Sequence, residues 1–212
     1  MIYLAVVEPD EPKTRAVVLA EQLAAMGLTA PPEFEVGANG KPRLIAGEPV
    51  GFSYTHIRTK QNPFGLMALI EDQDIGVDGE PWPLQAADPA FLQTIATRED
   101  EQALAALGAD GRDAGIGLWV IKEAALKCIG EVMIDPRNVA VRPIGNNLFQ
   151  IAQSALATAL RPPIHVGVYK LSLQLMPAHL CLVALAVSAA SQFEVANMNN
   201  VVFWTEHWLL RH

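Results

Sequence analysis

Asp78 and Glu80 stand two residues apart in Asp74-Ile75-Gly76-Val77-Asp78-Gly79-Glu80-Pro81, a stretch whose short apolar run predicts a strand. On extended chain, side chains at i and i+2 point to the same side, so the two carboxylates face one way. Two hard oxygen ligands at a strand end suit a Mg²⁺ ion that keeps several waters and takes its remaining ligands from a phosphate. Further along, Glu123 offers a third carboxylate on a predicted helix, with Lys127 one turn beyond it. Acids gathered without a cation repel and raise one another's pKa, so a metal would make such a cluster tolerable. Three carboxylates do not choose between Mg²⁺ and Mn²⁺. Each half of the constellation also reads as ordinary structure. The helix alone is amphipathic, with a solvated Glu123–Lys127 pair worth roughly 0.2–0.5 kcal/mol.

The elements that must position these groups follow from periodicity. Gly117 to Lys127 is rich in helix formers, Leu118, Ile121, Ala125 and Cys128 recur on one face, and Gly130 supplies a stop. Trp119 is expected in the core. Upstream, Ile2 to Val7 reads as a buried strand and Thr14 to Met26 as a helix with Val17, Val18, Ala24 and Ala25 on its apolar side and Gly27 as its cap. Phe52 to His56 alternates as a strand and ends in a histidine. Phe64 to Ile70 and Ile75 to Asp78, joined by a polar turn, look like an antiparallel hairpin. Asp88-Pro89 opens a helix to Ala96, and Thr97 with Asp100 marks a capping box for a second helix to Leu107. The run Arg98 to Glu101 is expected to be solvated. Val139 to Arg142, Leu148 to Ala152, Ile164 to Leu175 and Leu180 to Val187 follow as an antiparallel meander. The tail from Gln192 to His212 reads either as a docking helix or as an exposed segment.

A weak internal repeat relates Ile2–Pro9 to Asp74–Pro81: apolar strand, acid, proline, then a helical segment. The class is therefore α+β, with two pseudo-twofold-related lobes, each an antiparallel sheet packed with helices. The expected boundaries are an N-terminal lobe over 1–73, a C-terminal lobe carrying the acidic motifs over 74–191, and a tail over 192–212.

Composition limits the partners. Of 212 residues, 51% are apolar and 18% charged, which is a globular balance, and the net charge of −8 argues against nucleic acid. Cys128 and Cys181 both lie in apolar segments and form no Cys-x-x-Cys pair, so neither a disulfide scaffold nor a zinc site is expected. Met1 to Glu8 lacks the basic region of a signal peptide, and the longest apolar run, Leu180 to Ala190, is too short to span a bilayer. A cytoplasmic protein without a membrane partner is expected.

Together, Gly76-Val77-Asp78-Gly79-Glu80 and Trp119-Val120-Ile121-Lys122-Glu123-Ala124-Ala125-Leu126-Lys127 resemble the two signatures of the 4'-phosphopantetheinyl transferase superfamily, G-V-D-x-E and W-x-x-K-E-A-x-x-K. Gly40-Lys41-Pro42 and Phe52-Ser53-Tyr54-Thr55-His56 look like that family's G-K-P and F-x-x-S-H elements. Length and repeat resemble its larger, two-lobed monomeric branch. The resemblance implies transfer of 4'-phosphopantetheine from coenzyme A to a serine of an acyl or peptidyl carrier protein, with Mg²⁺ and release of 3',5'-ADP. It implies that Asp78, Glu80 and Glu123 hold the metal and that Glu123 is the general base. Lys127 would stabilise the phosphate or protonate the leaving group, and Lys41 and His56 would bind coenzyme A phosphates. Gly79 departs from the family's bulky apolar residue, so lost packing and a looser strand end are expected. Ile57 and Thr55 replace serines, Thr55 keeping the hydroxyl. Two alternatives stand beside this reading: a non-catalytic paralogue that binds coenzyme A, and an unrelated Mg²⁺-dependent phosphoryl-transfer or hydrolase enzyme.

Overall fold

A computed structural model describes residues 2–7, 12–28, 33–36, 41–44, 50–58, 63–82, 88–108, 112–130, 134–145, 147–153, 163–172, 180–188 and 201–204. Residues 37–40 and 176–179, and His207 and His212, lie outside them. The strands are β1 (Ile2–Val7), β2 (Phe34–Val36), β3 (Pro42–Leu44), β4 (Val50–Ile57), β5 (Phe64–Glu71), β6 (Ile75–Trp82), β7 (Val139–Gly145), β8 (Leu148–Gln153), β9 (Ile164–Ser172), β10 (Leu180–Ser188) and β11 (Val201–Trp204). The helices are α1 (Pro12–Ala25), α2 (Pro89–Ile95), α3 (Glu101–Leu107) and α4 (Arg112–Ile129), with 3-10 turns at Arg98–Asp100 and Pro136–Asn138.

Two sheets carry the fold, and the class is α+β as expected. One sheet has the order β11-β1-β5-β4, the other β6-β10-β9-β8-β7, and β2 and β3 form a small ribbon. The expected meander from β7 to β10 is present and antiparallel throughout, with β6 added beyond β10. The expected β5–β6 hairpin is not. β5 pairs with β1 and β4, whereas β6 pairs with β10, so the turn at Glu71–Asp74 hands the chain from one sheet to the other. Asp72 takes a positive φ of 56° in that turn, a conformation Asp tolerates. In the tail the strand β11 runs parallel to β1, pairing Ile2 with Val201 and Ala5 with Trp204. For these four residues that replaces the docking helix or exposed segment expected of the tail; its other residues lie outside the described ones.

Strand alternation sorts the apolar residues into layers. Ile2, Leu4, Phe64, Leu66 and Ile70 of the first sheet meet Ile75, Val77, Val183, Leu185 and Val187 of the second in a core between the sheets. The outer face of the first sheet (Ala5, Val7, Met67, Leu69) is covered by Val18, Leu19 and Leu23 of α1. That face of α1 differs from the expected one: Val17, Ala24 and Ala25 are exposed. Gly27 does close the helix, as Leu28 N–H donates to Leu23 O and Gly27 N–H to Ala24 O. The outer face of the second sheet is covered by α4, through Leu118, Ile121, Ala125 and Cys128 among others. The order of layers is helix, sheet, sheet, helix. Trp119 packs at the border of this last core, edge-on to Phe91 at 5.6 Å.

α4 is held in rotation by a buried ion pair. Asp88 caps α2 through Ala90 N–H, and Thr97 and Asp100 form the expected capping box. Asp100, however, is not solvated. It is fully buried, and so is Lys122 of α4, whose ammonium lies 2.7 Å from Asp100 Oδ2. Lys122 Nζ also donates to Ile95 O at 2.7 Å and Pro136 O at 3.0 Å, which uses all three of its protons. Asp100 accepts from Thr97 N–H and Oγ1 on one oxygen and from Val141 N–H on the other. Burial pushes the Lys122 pKa down, and the Asp100 carboxylate opposes that shift. Removing one partner of such a pair strands the other's charge in the core. Lys122→Met is therefore expected to lower unfolding free energy by about 3–5 kcal/mol in urea titration, against about 1 kcal/mol for Thr97→Ala.

Candidate functional site

The acidic groups lie where β6, β4 and α4 meet. β6 is the edge strand of its sheet, and β4 covers the open edge with small polar side chains instead of its backbone. Ser53 Oγ accepts from Val77 N–H at 2.9 Å, and Thr55 Oγ1 donates to Asp78 Oδ1 at 2.8 Å. Pro81, which has no N–H to donate, fits the end of an edge strand.

Alternation along β6 turns Ile75 and Val77 into the core between the sheets and Gly76, Asp78 and Glu80 to the α4 side. Gly76 allows the helix in. A Cβ there would fall 1.9 Å from Ala124 O and 2.5 Å from Cys128 N, so any side chain would push α4 off the strand. The close approach brings Lys127 onto Asp78, with Nζ 2.5 Å from Oδ1. Lys127 Nζ also donates to Thr55 Oγ1 at 3.2 Å. The expected solvated Glu123–Lys127 pair is thus replaced: the helix face carrying these residues is turned to β6, and the ammonium goes to the aspartate.

Glu80 and Glu123 complete the cluster electrostatically. The Glu80 carboxyl is pushed up by burial and then by the charge of Asp78, with Arg58 and Lys127 pulling it down. Glu123 is pushed up by the same two causes, opposed by Lys127. Three carboxylates therefore share a half-buried corner with too little positive charge. Their hard oxygens and mutual repulsion fit a divalent cation in donor chemistry. Among the described residues no three His, Cys, Asp or Glu side chains already converge as ligands, and the cation on Asp78 is Lys127.

The other two expected site residues lie apart. His56 is exposed, on the β4 face opposite Thr55, with its ring edge-on to Tyr54 at 4.7 Å. Lys41 reaches the C-terminal end of α4, where its ammonium donates to Cys128 O at 2.9 Å and lies 3.5 Å from Ile75 O. Thr55 and Arg58 also act on the cluster, the first through its hydrogen bond to Asp78 and the second through its charge near Glu80. The alternation that places Ser53, Thr55 and Ile57 on one face carried the signal for Thr55. Cys128 and Cys181 are both buried and not bridged to each other, and burial pushes the Cys181 thiol up to about 12.

Gly79 does not loosen the strand. Its missing side chain would point away from the ligands, as expected, but the space is filled: a Cβ would lie 2.9 Å from Ile57 Cδ1 and 3.0 Å from Leu182 O. Ile57 is fully buried there. The two departures from the family pattern thus occupy one volume between them.

An α+β chain with a carboxylate cluster and a lysine at the junction of an edge strand and a buried helix suits chemistry on a phosphate. Residues 74–170 match the family model of the 4'-phosphopantetheinyl transferase superfamily. The matched segment runs from the start of β6 into β9 and contains Asp78, Glu80, Glu123 and Lys127, while Lys41 and His56 precede it. No curated protein matches the chain. Among the described residues no helix is long and apolar enough to cross a membrane.

Two outcomes test this geometry. Gly79→Ala is expected to cost about 1–3 kcal/mol by overpacking, and less by at least about 0.5 kcal/mol when Ile57→Val removes the facing methyl. A double-mutant cycle in urea measures that coupling. The second outcome concerns pH. A carboxyl whose folded pKa is raised contributes stability that is present below its unfolded pKa and lost as pH rises through the folded value. Glu123→Gln, which cannot ionise, is expected to raise the metal-free melting temperature at neutral pH. Below about pH 4 it should match the wild type. A gain that persists undiminished in acid would point to a cause other than ionisation.

Proposed function

We propose that this protein transfers the 4'-phosphopantetheine group of coenzyme A to a serine hydroxyl of an acyl or peptidyl carrier protein, releasing 3',5'-ADP. The observation that carries this reading is the meeting of Asp78, Glu80, Glu123 and Lys127 at one corner inside the segment that matches the transferase family.

The reaction forms a bond from the serine oxygen to the β-phosphorus and breaks that phosphorus's bond to the 3',5'-ADP oxygen. Such displacements depend on positioning and charge neutralisation more than on covalent help from the protein. Glu123 accepts the serine proton, directly or through a water. Burial, and then the charge of Asp78, raise its pKa, which strengthens it as a base. Lys127 supplies positive charge to the phosphate oxygens or a proton to the departing 3',5'-ADP. Asp78, Glu80 and Glu123 would hold Mg²⁺, or Mn²⁺ in its place, which when bound would neutralise diphosphate charge. Lys41 and His56 would contact coenzyme A phosphates. His56 has its imidazole at the surface, where an anion can reach it, and Lys41 is tied to the residue following Lys127. The same reading takes the protein as a monomer acting in the cytoplasm.

The direct test is intact mass of apo carrier proteins after incubation with the protein, coenzyme A and Mg²⁺. A gain of one phosphopantetheine is expected, abolished by chelation and slowed about 10²–10⁴-fold by Glu123→Ala. No gain on any carrier, with coenzyme A still bound in calorimetry, would instead establish a non-catalytic coenzyme A binder.

A further inference from the structure

Lys127 does not pair with the glutamate one turn before it. Its ammonium is on Asp78 Oδ1, the oxygen that Thr55 Oγ1 also contacts, so one carboxylate oxygen, one hydroxyl and one ammonium form a closed triangle. Among the described residues neither Glu80 nor Glu123 forms an ion pair, and Lys127 is a cation whose charge acts on all three acids, with Arg58 also acting on Glu80. Lys127 is also only partly buried, so its side chain has room to leave. An ammonium and a divalent cation cannot both sit on the same carboxylate oxygen without repelling strongly.

We propose that Lys127 is an exchangeable internal counter-ion: it neutralises Asp78 while the acidic corner lacks a metal, and it is released toward an anionic substrate when a divalent cation takes that carboxylate. The proposal rests on the metal-dependent reading above and deepens it. It makes metal and anion binding mutually supportive. Metal alone strands the ammonium of Lys127, and a diphosphate alone meets an ammonium already paired. Each ligand supplies what the other leaves unmatched, which is a coupling between two sites on one side chain.

The consequence runs against the usual expectation for a site residue. Lys127→Gln removes a competitor, so the metal should bind this variant more tightly than it binds the wild type in the absence of any phosphate ligand. Mn²⁺ titrations followed by calorimetry and by the paramagnetic signal of free ion would compare wild type, Lys127→Gln and Lys127→Arg. The glutamine variant is expected to gain at least about fivefold in affinity, the lower end of ordinary site-to-site coupling. The arginine variant, which keeps a cation, should not gain. A second readout uses the wild type alone: acetylation of the Lys127 amine by dilute acetic anhydride, mapped by peptide mass, should rise when Mn²⁺ is added.

Equal or weaker binding by Lys127→Gln, or Lys127 acetylation that Mn²⁺ leaves unchanged or lowers, would overturn the exchange. Absence of Mn²⁺ binding by both wild type and the glutamine variant would overturn it as well. Its failure is separable from failure of the transferase reading. Carrier modification by the wild type with no affinity gain in Lys127→Gln would refute the exchange alone. An affinity gain without modification of any carrier would refute the transferase and leave the exchange standing.

Discussion

The buried pair between Lys122 and Asp100 is the constraint from which the arrangement of the site follows. Taking an ammonium and a carboxylate fully out of water costs several kcal/mol per ion, and only complete hydrogen bonding offsets that. Here every proton of Lys122 has an acceptor, and both oxygens of Asp100 have donors. The partners come from the ends of α2, the two 3-10 turns and β7, so α4 is keyed to four separate segments. With Lys122 fixed on that side, the 100° step of a helix sends Glu123 and Lys127 round toward β6. Gly76 then sets how near they come. One interaction fixes the rotation of the helix and one missing side chain fixes its distance.

Much of this was legible in sequence because it is local. Helix caps at Asp88, Thr97 and Gly27, the meander from β7 to β10, and the apolar face of α4 all depend on residues within a few positions of one another. What was not legible depends on partners far along the chain. A lysine and an aspartate are ordinarily solvated, and nothing within a turn of Lys122 announces that Asp100 waits for it in the core. The charged face of α4 likewise predicts a Glu123–Lys127 pair until β6 presents Asp78. The β5–β6 turn has hairpin composition, yet each strand finds its partners elsewhere, and only long-range pairing assigns them to different sheets.

Gly79 and Ile57 show how departures from a family's residue pattern can be read physically. Taken singly, each looks like damage: one removes packing at a strand end, the other puts a large apolar residue where a small polar one is usual. In three dimensions the isoleucine methyl occupies the space the glycine leaves. The volume has moved from β6 to β4, and Asp78 and Glu80 on the opposite face of the strand keep their direction. Volume-conserving exchanges of this kind are among the least costly changes to a core.

The parallel pairing of β1 with β11 bears on how the protein is made. Ile2 emerges from the ribosome long before its partner Val201. Until then β1 presents a bare edge flanked by some of the most apolar side chains in the chain, Ile2 and Leu4. Unprotected edges of that composition invite pairing with other nascent chains. Closing a contact of such sequence separation is also slow, since the entropy of a very long loop must be overcome first. The first sheet is thus begun when β1 is made and closed only after β11 follows, and the interval between is when a chaperone would be of most use to it.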